Sequence, residues 1–209
     1  MKKLILIVCN GNIHRSVIAE ICLNRELEKR GLGDEIVCIS RGLEKRDGGK
    51  CRMMDFPTEW TLTKPVLREL GVVVLENRGA QLIDVDIIGK SSLILTMDRR
   101  VLNILNQKFP QCTTKMMCLF STLAVGCVGW QFAAGVDILD LKGITDPELH
   151  RKTNELIHSI SGEIDTLRFL LGLAEQNKQE LNRFGNLRNL REISIPRIEL
   201  MIEDKLDLS

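Results

Sequence analysis

The sequence predicts an α/β fold in which a parallel sheet carries helices on both faces, and three observations predict it. Leu4-Ile5-Leu6-Ile7-Val8 is a continuous apolar run, the pattern of a strand covered on both sides. Strand-like and helix-like segments alternate along the chain, as a parallel sheet with crossover connections requires. Toward the C-terminus, His150 to Leu173 carries Leu156, Ile157, Ile160, Ile164, Leu167, Leu170 and Leu171 in a stripe with the helical period of about 3.6 residues.

The first apolar run follows Lys2 and Lys3, but it is too short for the core of a signal peptide and ends in a polar loop, so it predicts a central strand. Beyond the loop Cys9 to His14, Val17, Ile18, Ile21, Cys22 and Leu27 recur at helical spacing and Gly31 supplies a stop. Glu35 to Ser40 predicts a second strand, Val72 to Leu75 a short β-like run, and Ser92 to Thr96 another strand. Pro65 to Leu70 predicts a helix. So does Arg100 to Lys108, whose apolar face is Val101, Leu102, Ile104 and Leu105 before Pro110 ends it. The last helix closes a main domain over 1–174. Residues 175–209 are polar and Asn-rich, with a break at Pro196, and form a C-terminal appendage.

Composition excludes several classes of function. The 29 basic and 28 acidic residues of the 209-residue chain leave a net charge of +1, so no long-range field draws in nucleic acid or an anionic membrane. Seven cysteines, an odd number without close pairing, fit neither a zinc site nor a secreted disulfide framework and favour a reducing cytoplasm. Uncharged residues run from Met116 to Val136, but Gly126, Gly129, Gln131 and Gly135 dilute them below what a membrane span needs.

The chemistry concentrates in Val8-Cys9-Asn10-Gly11-Asn12-Ile13-His14-Arg15-Ser16, where five residues separate a cysteine from an arginine between a buried strand and a helix. A loop of this length entering a helix turns its backbone N–H groups inward, forming an anion nest reinforced by the helix N-terminus. Asn12 tolerates left-handed geometry, and Arg15 offers a planar fork for two phosphoryl oxygens. The same donors favour a thiolate nucleophile at Cys9, and the Ser16 hydroxyl is placed to donate to it. A cysteine in such a place is otherwise a buried inert side chain, and the neighbouring Gly11, Arg15 and Ser16 argue for function.

Here the sequence resembles the low-molecular-weight protein tyrosine phosphatase family, whose cysteine-to-arginine loop follows the first strand of a four-stranded parallel sheet. Ser40-Arg41-Gly42, Gln81 to Asp86, Thr96-Met97-Asp98 and Ile144-Thr145-Asp146-Pro147 resemble further family stretches: a serine-containing turn, a short helix, a strand terminus and an acid loop. The resemblance covers roughly residues 3–173. It implies a three-layer fold and a metal-independent phosphatase without cofactor. In that reading Cys9 attacks phosphorus, residues 10–16 bind the phosphoryl group, Ser16 and Ser40 support the loop, and Asp146 is the general acid. The implied partners are a phosphorylated protein or small aryl phosphate, with inorganic phosphate or vanadate as ligands.

The chain also departs from the family. His14 stands where many members carry a second cysteine. Glu148 replaces the aromatic residue that usually follows the acid loop, and Asn77 and Ala80 replace His and Arg. Phe56 and Trp60 are candidates for a stacking surface. Asp146 is also an ordinary helix cap. Arsenate reductases of this fold carry a relay cysteine where Met97 stands, and protein-arginine phosphatases a threonine where Ile13 stands, so both rank below an aryl phosphatase. The alternative from a different class is a catalytically weak phosphate-binding or scaffolding module.

Overall fold

The computed structural model describes residues 2–44, 51–75, 77–110, 115–125 and 135–184. The strands are β1 Lys3–Cys9, β2 Ile36–Gly42, β3 Leu93–Thr96 and β4 Met117–Leu119, all parallel and ordered β2-β1-β3-β4. The helices are α1 Arg15–Lys29, α2 Pro57–Glu69, α3 Val85–Lys90, α4 Arg99–Lys108, α5 Thr122–Val125, α6 Pro147–Ile160 and α7 Ile164–Phe184. The continuous apolar run is thus the inner strand β1, flanked on both sides.

Successive residues of a strand point to opposite faces, and β1 divides accordingly. Ile5, Ile7 and Cys9 pack on one side with Ile18, Cys22 and Leu23 of α1, Leu67 of α2, Ile157 of α6 and Leu167 of α7. Leu6 and Val8 pack on the other with Ile88 of α3 and Val101 and Leu105 of α4. Each fully buried Ile or Leu contributes about 1.5–3 kcal/mol relative to exposure, so the two apolar layers hold the loop ends of the strands in place.

Three expectations are corrected. Val72 to Leu75 is not a strand: Val73 is 73% and Leu75 66% exposed, and the segment joins no ladder. The fourth strand is β4, whose Cys118 and Leu119 are buried against β3. The long C-terminal helix is two helices broken at Ser161–Gly162, where the Ser161 hydroxyl donates to the Ile157 carbonyl at 2.7 Å. The second of them runs to Phe184, past Leu173, where the last helix was expected to end. Finally, Gln81-Leu82 lies outside α3. Leu82 bridges to Gly42, and α3 starts after Asp84, whose side chain accepts from Ile87 N–H. The rest of the appendage, 185–209, and residues 126–134 of the uncharged stretch lie outside the described residues. Among the described residues no helix is long and apolar enough to cross a membrane.

Among the described residues the outer edge of β2 carries no further strand. Its outward N–H groups are taken by Leu32 O for Ile36, Asn24 Oδ1 for Cys38, Glu20 Oε2 for Ser40 and Gln81 O for Gly42. Gly42 ends the strand against the loop after β1: a Cβ there would stand 2.9 Å from both Asn12 N and Gly11 C. Backbone on that side cannot yield cheaply. Gly42→Ala is therefore expected to lose about 1–3 kcal/mol, read as a lower urea midpoint.

Candidate active site

The loop 10–14 leaves the C-terminal end of β1 and enters α1 at Arg15, the edge at which open α/β sheets bind ligands. Its backbone is pinned to the next strand: Leu43 N–H donates to Cys9 O at 3.2 Å and Glu44 N–H to Asn10 O at 3.0 Å. His14 occupies the N-cap position of α1 and makes no side-chain cap hydrogen bond. The helix N-terminus is left open for an anion.

Cys9 is 3% exposed, and its Sγ accepts from Asn12 N–H at 3.1 Å and from the Ser16 hydroxyl at 3.0 Å. Two hydrogen-bond donors thus converge on one sulfur. Asn12 has a φ of 49°, the left-handed geometry the loop needs to turn its amides inward. Its buried side chain donates to Ser40 Oγ at 2.7 Å and Ser16 Oγ at 3.2 Å, and accepts from Gln81 N–H at 2.8 Å. Ser40 donates to Glu20 Oε2 at 2.5 Å, and Arg78 reaches both Glu20 Oε2 and Ser40 Oγ at 3.0 Å. Arg78 therefore supports the loop although Asn77 and Ala80 lack the family's side chains. Its neighbours in sequence drew attention, and its own guanidinium was missed.

Arg15 is 4% exposed and divided among three acceptors. Nη1 donates to Asp98 Oδ2 at 2.6 Å and Ile138 O at 2.7 Å, and Nη2 to Asp140 Oδ2 at 3.2 Å. Asp98 also caps α4 by accepting from Val101 N–H at 2.7 Å, which fixes the carboxylate that fixes the arginine.

The cleft over Cys9 is lined by Gly11, Ile13, His14 and Arg15 of the loop, by Met53, Phe56 and Glu59, and by Asp140, Leu141 and Lys142. Asn12, Ser16 and Ser40 lie beneath it as supports, and Asn10 supplies a backbone tie. Phe56 forms part of the wall, whereas Trp60 packs on the core, with Lys64 Nζ 5.6 Å from its ring centre. Asp146 does not line the cleft. It is exposed, and its side chain caps α6 by accepting from Glu148 N–H at 2.8 Å. Two carboxylates line the cleft, Glu59, whose Oε1 accepts from Gly143 N–H, and Asp140, which holds Arg15 and lacks the following proline that made Asp146 conspicuous. Glu148 is likewise remote and pairs with Lys152, so it does not stand in for a substrate-flanking aromatic.

Burial pushes Cys22 up to about 11 and Cys118 to about 12, and raises Cys38 as well. Cys118 is thereby an inert core residue rather than a relay thiol; Cys112 lies outside the described residues. His14 Nδ1 is sealed from solvent, and desolvation lowers this histidine to about 3, with the His150 and Arg15 charges adding and Asp140 opposing. His14 is neutral at pH 7.

Residues 4–125 match the family model described as low molecular weight phosphotyrosine protein phosphatase. No curated protein sequence matches the chain. Among solved structures, a low molecular weight phosphotyrosine phosphatase from Vibrio cholerae O395 is 24% identical, with a TM-score of 0.62 over 79% of this chain and 97% of that one. Vibrio vulnificus Wzb, solved with benzylphosphonate, is 24% identical over 77% and 95%, with a TM-score of 0.56. The YwlE arginine phosphatase from Geobacillus stearothermophilus is 20% identical over 87% and 96%, also at 0.56.

A histidine lowered by folding binds its proton more weakly than in the unfolded chain, so the stability it contributes is full above about pH 6.5 and is lost as pH falls toward about 3. Urea midpoints measured between pH 4 and pH 7 are expected to rise with pH, and the slope is expected to be shallower in His14→Asn.

Proposed function

Because the chain belongs to the low molecular weight phosphotyrosine protein phosphatase family and is a phosphatase, we propose that it hydrolyses phosphomonoesters of the aryl type through a phosphocysteine intermediate at Cys9. The observation that carries this reading is the sulfur of Cys9, held by Asn12 N–H and the Ser16 hydroxyl at the floor of a cleft that also contains Arg15 and Asp140. In the first step the thiolate forms an S–P bond as the P–O bond to the leaving group breaks, and Asp140 passes a proton to the departing oxygen. In the second step water attacks phosphorus, its proton goes to Asp140, and the S–P bond breaks to return the thiolate, which the Ser16 donor stabilises as a leaving group.

Arg15 and the loop amides stabilise charge on the equatorial oxygens, a contribution made by preorganised donors. A phosphoryl oxygen at Nη2 takes the place Asp140 now holds, which frees that carboxyl for the leaving oxygen. Asp98 and the Ile138 carbonyl keep Nη1 in position meanwhile. The acid role expected at Asp146 therefore passes to Asp140. The apolar walls Ile13, Met53 and Phe56 suit the ring of a phosphotyrosine or small aryl phosphate. Catalysis by a free thiolate is compatible with a reducing cytoplasm, and Cys9, Cys22, Cys38, Cys51 and Cys118 are all unpaired by disulfides.

Hydrolysis of p-nitrophenyl phosphate in EDTA is expected from the native chain and not from Cys9→Ser. If Cys9→Ser matched the native rate, the nucleophile assignment would be wrong. With phenyl phosphate, whose leaving group needs its proton, Asp140→Asn is expected to cost about 10²–10⁴-fold in kcat. Asp146→Asn retains a good helix cap and is expected to stay within a few-fold of native. The reverse pattern would return the acid role to Asp146.

A further inference from the structure

Thr63 of α2 is fully buried and does not line the cleft, yet it sits between two histidines. His150 Nε2 lies 3.0 Å from the Ile144 carbonyl, which only accepts, so this nitrogen carries the proton and Nδ1 offers a lone pair. The Thr63 hydroxyl is 2.9 Å from that Nδ1 and donates to it. The oxygen of Thr63 then faces His14 Nε2 at 3.5 Å, the outer limit of a hydrogen bond. A polar chain thus runs from the nucleophile loop through α2 and α6 to Ile144.

Ile144 belongs to the segment that carries Asp140. One turn before Thr63, on the same face of α2, Glu59 Oε1 accepts from Gly143 N–H at 2.9 Å. Ile144 N–H closes the turn onto Leu141 O at 3.1 Å, and at the other end Ile138 N–H donates to Met97 O at 2.8 Å. Asp140 therefore sits on a short span tied at one end to β3 and at the other to α2. We propose that Thr63 is a positioning residue for proton transfer: its hydroxyl, linking His14 to His150, holds the Asp140 span in register with the Cys9 loop. The inference rests on the reading of Asp140 as the acid.

The readout that separates positioning from mere stability is leaving-group dependence, because a good leaving group departs without a proton. Thr63→Val, of similar shape, is expected to lower kcat/KM, which reports only the steps up to departure of the leaving group, for phenyl phosphate about 10- to 100-fold, the scale of a misplacement near 1 Å. With 2,4-dinitrophenyl phosphate the loss is expected to stay below about 3-fold, because acid assistance contributes little there. Thr63→Ser is expected to restore the native ratio, and Thr63→Ala to repeat the Val result should Val fail to fold, as judged by its melting temperature. Equal losses on both esters would overturn the inference. Asp140→Asn assayed alongside divides the failures. If it is selective and Thr63→Val is not, the positioning role alone falls. If neither is selective, the acid assignment falls and takes the inference with it.

Discussion

Everything at the nucleophile depends on one buried amide, that of Asn12. Its backbone sits in a conformation few residues accept, and its N–H is spent on the Cys9 sulfur. The side chain then joins Ser16, Ser40 and Gln81, which belong to α1, β2 and the loop before α3. Asn12, Ser16 and Ser40 are withdrawn from water, where an unmet donor or acceptor costs free energy, so the network stands or falls as a unit. Glu20 and Arg78 extend it outward and neutralise one another at its rim, 18–21% exposed, so no uncompensated charge is left below the sulfur.

The anion-facing side is organised differently. Arg15 is surrounded by acceptors rather than donors, and its cationic fork is the meeting point of the N-cap of α4, through Asp98, and the Asp140 span. Two carboxylates and a carbonyl hold one guanidinium, so in the proposed reaction a phosphoryl group meets a fork already oriented, at little cost in ordering entropy. The neutral His14 lies beside it without adding a second positive charge.

What could be read from sequence was whatever is local. β1, the loop 9–16 and the start of α1 are contiguous, and their chemistry declares itself in residue order. The fourth strand did not, because β4 is three residues long and its burial comes from β3 rather than from its own pattern. Val72 to Leu75 has the composition of a strand but no partner to pair with, and half of it faces water. Asp146 was more legible than Asp140 because Asp-Pro is a strong local signal, but the signal it gives is that of a helix cap. Proximity to Cys9 is a property of the folded chain, set by Ile138 docking on Met97 and by the grip of α2 on Gly143. Arg78 escaped notice for the same reason: it is 38 residues from Ser40.

The occupied edge of β2 has a consequence for how the protein meets copies of itself. An exposed parallel edge is a template for intermolecular strand addition and hence for aggregation. Here two amides of that edge are masked by side chains of α1, Asn24 and Glu20, and two by the backbone carbonyls of Leu32 and Gln81, instead of by a further strand. Glu20 thereby serves two ends, guarding the edge and bracing the serine beneath the nucleophile loop. Removing that one carboxylate would therefore uncover the strand edge and loosen the loop together.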